Sequence, residues 1–324
     1  MEYFNQNLFH VIKNGKSGFI NNKGDVVIDF EFDGASSFSE GLARIFVEEK
    51  VGFIDTKGNI VIEPKFDSAL GFSEGLSVVT IGDNQGYIDT KGNIAVKPSF
   101  YQANNFENGI ALIREDIISE SSFIDRQGNI ILSGKNFAVS KYSDGLINCS
   151  ENGNWGHISL EGNFVIPAIY KYTREFSEGK AAVSPKKDIT GKPNKKNLYG
   201  FINKQNEMII PPTLQGSDIF FSEGLCAVWN NGYGYIDDIG NLIIPYDFEL
   251  GEHFNEGLAV FKPKGKNKKY GYIDKAGHII VEPIFTSADD FENGFASVVT
   301  GENYNQYKYG IIDKKGNYIW EPTR

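Results

Sequence analysis

A short core returns along the whole of this chain: a glycine, an aromatic residue, an isoleucine and an aspartate. It stands in recognisable form at Gly18, Gly52, Gly86, Ser122, Gly156, Gly200, Gly234, Gly271 and Gly310. A repeat of about 34 residues, the step from Gly18 to Gly52 and from Gly52 to Gly86, is too small to bury a core of its own. Stability must come from neighbours that stack, so residues 1–324 are read as a single array rather than two or three globular domains. The units fall near 8–41, 42–75, 76–109, 110–145, 146–179, 180–224, 225–257, 258–294 and 295–324.

One unit shows the local chemistry. In Ile273-Asp274-Lys275-Ala276-Gly277-His278 the aspartate opens a turn and the glycine takes the position that needs positive φ, which predicts a hairpin with a bulged type I turn. The opening position is Asp55, Asp89, Asp125, Asp237, Asp274, Asp313, Asn21, Asn203 or Ser159. Charge varies there while the ability to accept a hydrogen bond does not, which marks turn chemistry and not catalysis. The flanking runs alternate as half-buried strands do, with Ile60 and Ile62 expected on one face. Prolines such as Pro64, Pro98, Pro245 and Pro283 are expected to end the second strand, because proline has no N–H for the ladder. A looser return segment then closes on Phe-Ser-Glu-Gly at Phe38, Phe72, Phe176 and Phe221, where the aromatic plugs the core and the glycine turns the chain into the next strand. The fourth unit departs from the pattern, with Ser122 for the core glycine and Gly134 for the proline.

The fold class is therefore all-β: a tandem array of about nine short antiparallel hairpin or three-stranded units. With 36 Gly, 25 Phe and no helical periodicity, composition agrees. Closed propellers typically have about four to eight blades of four strands, so the expectation is an open, twisted superhelix, with a closed β-propeller-like ring as the alternative.

The iterated core resembles that of the bacterial WG-repeat (KWG-repeat) family over essentially the whole chain. Trp155-Gly156 keeps the eponymous pair, while Tyr199, Tyr233, Tyr270 and Tyr309 stand in its first position elsewhere. The resemblance implies a β-rich array with a binding role and no common catalytic residues.

Three loops lengthen at one corner of the repeat. The sixth unit inserts 184–198, with Lys186, Lys187, Lys192, Lys195 and Lys196; the eighth inserts 262–269, with Lys264, Lys266, Lys268 and Lys269; the ninth extends through Tyr304 and Tyr307. Insertions at equivalent places project from one face of a repeat array, so these residues are the candidate partner-binding loops. The expected function is a non-enzymatic scaffold for protein or other macromolecular partners, with an acidic protein the favoured kind. A net charge of −10 argues against nucleic acid, no run is long enough for a membrane span, and the absence of a signal-like run makes the cytoplasm the default, leaderless secretion aside. No cofactor, metal or catalytic residue is called.

Chemistry-bearing residues outside those loops read as structural. Gly71-Phe72-Ser73-Glu74-Gly75 spells a nucleophile elbow but lacks its strand-to-helix context, and sister positions carry Glu107, Asn255 and Glu292 for Ser73. His10, His157, His253 and His278 are dispersed, and Cys149 and Cys226 sit in dissimilar units. Glu40, Glu74, Glu178 and Glu223 form a possible carboxylate ladder, the basis of an alternative reading as a carbohydrate-active or other hydrolase. A structural or secreted surface component is the third reading.

Overall fold

The computed structural model describes residues 8–134, 138–216, 219–266, 268–303 and 306–323. Among them every regular element of any length is a β-strand, and each long pairing is antiparallel. Contacts divide the chain into two compact units, Met1–Asn136 with Thr323–Arg324, and Phe137–Pro322.

Among the described residues six sheets are four-stranded, which corrects the expected hairpin or three-stranded unit there, while the first, Phe9–Lys13, Lys16–Ile20 and Val26–Phe32, is three-stranded as expected. In the second repeat the strands are Gly34–Ala35, Leu42–Val47, Lys50–Asp55 and Ile60–Phe66, hydrogen-bonded in that order. The extra strand is the loose return segment: two residues after the buried Phe32 anchor are enough to pair Gly34 with Phe46 and Ala35 with Ile45. Among the described residues the strands make eight sheets, fewer than the nine repeats, because Leu242–Asn255 runs unbroken from the closing strand of the seventh repeat into the opening strand of the eighth.

The expected turn forms. Gly58 donates to the Asp55 carbonyl at 3.0 Å and has φ +86°, while Asp55 Oδ1 accepts the N–H groups of Lys57 and Asn59 at 2.9 Å each. Two expectations on the strand after it are corrected. Ile60 and Ile62 do not share a face: Ile60 is 49 % exposed and Ile62 is 3 % exposed. The pairing slips between Phe53↔Ile62 and Ile54↔Ile60, and this bulge turns both Ile60 and Val61 outward. Nor does proline end the strand, since Ile60–Phe66 runs through Pro64. The register slips again, from Phe53↔Ile62 to Val51↔Phe66, so Pro64 occupies a bulge where no ladder N–H is required.

That bulge explains the invariant glycine. A Cβ on Gly52 would lie 2.5 Å from the Ile62 carbonyl oxygen and 2.6 Å from the Pro64 nitrogen, both backbone atoms. The glycine is needed for close approach. The fourth repeat inverts the arrangement: Ser122 replaces the glycine, and opposite it a Cβ on Gly134 would meet the Ser121 carbonyl at 2.0 Å. One strand of the pair must be bare.

The core lies between successive repeats. Phe53 packs on Phe72 of the next return segment at 4.9 Å between centroids, and Phe201 on Phe221, Tyr235 on Phe254 and Tyr272 on Phe291 repeat it at 4.7, 5.0 and 4.7 Å. Each ring buried this way contributes about 1.5–3 kcal/mol by area, so neighbouring repeats hold one another up. Within the first compact unit Thr323 Oγ1 donates to the Ile12 carbonyl at 2.7 Å.

Candidate functional site

The two lysine insertions differ in kind. In the sixth repeat Asn194, 4 % exposed, ties the loop together: its Nδ2 donates to the Leu198 carbonyl at 2.9 Å and to that of Pro185 at 3.1 Å, and its Oδ1 accepts Leu198 N–H at 2.9 Å. Asp188 Oδ1 folds a second turn by accepting Thr190 and Lys192 N–H groups at 2.9 and 3.1 Å. Lys186, Lys187, Lys192, Lys195 and Lys196 all remain exposed on this ordered loop. In the eighth repeat the charges turn back on the protein: Lys264 bonds the Tyr246 carbonyl, Lys268 pairs with Glu249, and Lys269 Nζ donates to Thr286 Oγ1 at 2.8 Å. Lys266 stays exposed, Tyr307 is half-buried, and Tyr304 lies outside the described residues.

The Phe-Ser-Glu-Gly residues join repeat to repeat. Glu40 and Gly41 both have positive φ, at 52° and 81°, and Ser39 and Leu42 exchange two backbone bonds around them, which is a type I′ hairpin. From that turn Glu40 reaches the next one, its two oxygens accepting Glu74 and Gly75 N–H groups at 2.7 Å each. Glu74 accepts Gly109 N–H at 2.9 Å, Glu178 accepts Gly224 at 3.0 Å and Glu223 accepts Gly257 at 2.9 Å. The serine works alongside: Ser39, Ser73 and Ser177 donate to the carbonyls of Phe72, Phe106 and Phe221 at 2.5, 2.6 and 2.7 Å. Elbow serine and ladder carboxylates are thus inter-repeat staples. Burial would raise the Glu223 carboxyl, but Lys275 and the Gly257 amide outweigh it and hold it below the usual range.

Other singled-out groups are equally engaged. His157 is fully buried and its Nε2 lies 2.8 Å from the Arg174 carbonyl, the role that Tyr87, Tyr235 and Tyr272 hydroxyls play toward Asn104, Glu252 and Asp289 carbonyls. Burial pushes its imidazole down to about 4. Cys149 and Cys226 are unpaired and buried, and burial pushes the Cys149 thiol up to about 12. Among the described residues no group of three His, Cys, Asp or Glu could hold a metal ion, and no helix is long and apolar enough to cross a membrane.

What the repeat leaves unspecified is the residue pair just before the plugging aromatic. It reads Ser36-Ser37, Leu70-Gly71, Asn104-Asn105, Ser140-Lys141, Arg174-Glu175, Ile219-Phe220, Glu252-His253 and Asp289-Asp290. Neighbouring positions are held by packing or staples, while the chemistry at this pair changes from repeat to repeat, even though Ile219, 2 % exposed, packs in the core. In the second compact unit these pairs line a concave surface. A cavity of 260 Å³ is walled by Lys141, Arg174, Glu175, Ile219 and Phe220, among others. It shares Ile219 with a smaller one that includes Glu252 and His253, and Phe220 stacks on His253 at 4.3 Å. It shares Arg174 with an open cleft of 510 Å³ that Lys196 and Trp229 also line. Of the sequence-predicted lysines that are described, Lys196 is the one this surface gathers in. The pairs themselves were missed in the sequence reading, although aligning the copies exposes them as the variable step beside a fixed aromatic.

Comparison with known proteins bears on family and fold. A family model described as "WG containing repeat" matches residues 18–50, 52–84, 86–116, 155–185, 199–232, 233–266 and 270–304, and leaves out the stretch around Ser122 and Gly134. No curated protein matches the sequence. Among solved structures, a crystal structure of a eukaryotic initiation factor is similar at TM-score 0.64 with 11 % identity, over 98 % of this chain and 96 % of that one. A structure of Hsv2p from Kluyveromyces lactis aligns at TM-score 0.40 with 12 % identity, over 94 % and 93 %. At such identities the first likeness speaks to fold alone.

Proposed function

The chain belongs to the WG-repeat family, and from that premise we propose that it is a non-enzymatic scaffold whose partner is a protein with an acidic surface. The observation that carries this reading is the division of labour within the repeat. Turn carboxylates, serines and aromatics bind the repeats together, while the pair before each aromatic changes from repeat to repeat, and Lys141, Arg174, Glu175, Ile219 and Phe220 of these pairs line a groove. The loop that lines the adjoining cleft with Lys196 also exposes Lys186, Lys187, Lys192 and Lys195, a basic surface suited to steering an acidic partner. With it we propose a cytoplasmic setting, in which two buried unpaired thiols need no oxidising compartment.

The test is affinity capture from the native cell with three baits: wild type, a charge-reversed loop (Lys186, Lys187, Lys192 and Lys195 to Glu), and a groove variant (Phe220→Ala with His253→Ala). A partner kept by wild type and lost from both variants is expected. A partner that both variants retain would overturn this assignment of the surface. The hydrolase reading calls on carboxylates that already accept backbone N–H groups; glycan or ester turnover abolished by Glu74→Gln would reinstate it.

A further inference from the structure

The open cleft beside the groove has a composition of its own. Its described lining comprises two cations, Arg174 and Lys196; two primary amides, Asn197 and Gln215; and three aromatics, Tyr199, Trp229 and Tyr233, with the Gly216 backbone. We propose that this cleft binds an acidic sugar, a pyranose that carries a carboxylate. The inference goes beyond the scaffold reading and does not depend on it.

The volume, 510 Å³, falls within the range of about 300–1,000 Å³ usual for small-ligand sites. Each part of a uronic acid has a counterpart. Guanidinium and ammonium together receive the carboxylate, the first through its planar fork and the second as a point charge. The exposed Trp229 and half-buried Tyr233 supply aromatic faces for the apolar C–H face of the ring, while Tyr199, 8 % exposed, belongs to the core beneath. Amides meet hydroxyls well, because both groups donate and accept. The cleft opens to solvent on one side, so it covers one face of a ring and leaves the other wet. That suits a sugar, whose two faces differ in polarity, better than a nucleobase, whose two faces are alike.

The walls are held in place before any ligand arrives. Trp229 stands 39 % exposed at the end of Cys226–Trp229, and its backbone N–H donates to the Gln215 carbonyl at 3.2 Å, which fixes the strand that carries the indole. Asn197 is fixed by Lys171, whose Nζ donates to its Oδ1 at 2.7 Å. Lys196 closes the loop that Asn194 organises. The position of Trp229 is also singular in the repeat: the corresponding residues, each paired with the residue before a core glycine, include Phe46, Thr80 and Ser150. Tyr199 and Tyr233 are the eponymous first positions of two successive repeats, so the cleft lies where adjacent aromatics meet a tryptophan that no sister repeat supplies.

The full chain with Trp155→Phe and Trp320→Phe leaves Trp229 as its one tryptophan reporter. Fluorescence titration with a galacturonic acid trisaccharide is expected to saturate, and the neutral galactose trisaccharide to give no change. By calorimetry on the otherwise native chain, Lys196→Gln, Arg174→Gln and Trp229→Leu are each expected to raise Kd tenfold or more, while Lys57→Gln, on an exposed turn of the second repeat, leaves it unchanged. Lys196 and Trp229 are surface residues whose replacement leaves the core intact, so loss of binding there is not loss of fold. The proposal is overturned by the absence of saturable binding at millimolar saccharide, by equal binding of the neutral sugar, by tighter binding of a nucleoside monophosphate, or by a Kd that neither surface variant changes.

Discussion

At the residue scale, His157 is the sharpest departure from the repeat. It fills a place held by Phe or Tyr in every other repeat but the ninth, which has Ile311; it packs edge-on against Phe176 at 4.8 Å between centroids and faces the Arg174 carbonyl through Nε2, while the buried Nδ1 has no hydrogen-bond partner. Protonation would place a cation in a dry core with one bond to receive it. Burial therefore lowers its folded pKa to about 4 from 6.5, and the linkage has a definite sign: the contribution is fully present above pH 6.5 and is lost as pH falls toward 4. That difference corresponds to about 3 kcal/mol. Urea midpoints taken between pH 7 and pH 4 are expected to fall for wild type and to fall less for His157→Tyr, whose hydroxyl can serve the same carbonyl. Equal slopes would show that the imidazole is not the titrating group. A second residue-scale outcome concerns Glu40, a non-glycine at positive φ whose carboxylate holds two amides of the next turn. Glu40→Ala keeps the backbone strain and loses the staple, so it is expected to cost more than Glu40→Gly, by about 1 kcal/mol in a denaturant titration.

At the scale of the element, the bare strand opposite the proline bulge is the constraint that makes a repeat. Gly52→Ser drives a Cβ into the Ile62 carbonyl and the Pro64 nitrogen, neither of which can give way as a side chain would. A loss of about 3 kcal/mol is expected. The fourth repeat indicates the remedy, for it carries serine on one strand and glycine on the other. Gly52→Ser with Pro64→Gly is therefore expected to recover part of the loss, a coupling that a double-mutant cycle measures and that additive losses would exclude. The same bulge explains what was legible in advance. Turn residues, the aromatic plug and the all-β class could be read directly, because Asp55, Gly58 and Phe72 act within a few residues or as isolated large apolar groups. The passage through Pro64, the outward face of Ile60 and the fourth strand at Gly34–Ala35 could not, because each depends on register against another strand, which periodicity does not encode. For the site, the exposed lysines were visible by composition, but the return of Lys264, Lys268 and Lys269 onto Tyr246, Glu249 and Thr286 depends on residues up to 19 positions away.

At the scale of the whole molecule, the decisive contact is between residues 311 apart in sequence, Thr323 and Ile12. Nine similar repeats could be stacked without their ends ever meeting, and nothing in one repeat says whether they do; the step from each repeat to the next sets it, and small errors in that step accumulate over the chain. The hairpin at Gly82-Asp83 is exposed, a place where the chain can be opened. A circular permutant that starts at Asp83, ends at Gly82 and joins Thr323 to Leu8 through a short Gly-Ser linker is thus expected to fold, with one cooperative thermal transition within a few degrees of the parent. Were the ends far apart, a linker of a few residues at about 3.5 Å each could not span them, and the permutant would unfold early or in two steps. Lengthening the linker distinguishes the cases: it leaves a permutant with adjacent ends almost unchanged, since each doubling of a flexible loop costs about 0.6 kcal/mol, and it rescues one whose ends are apart.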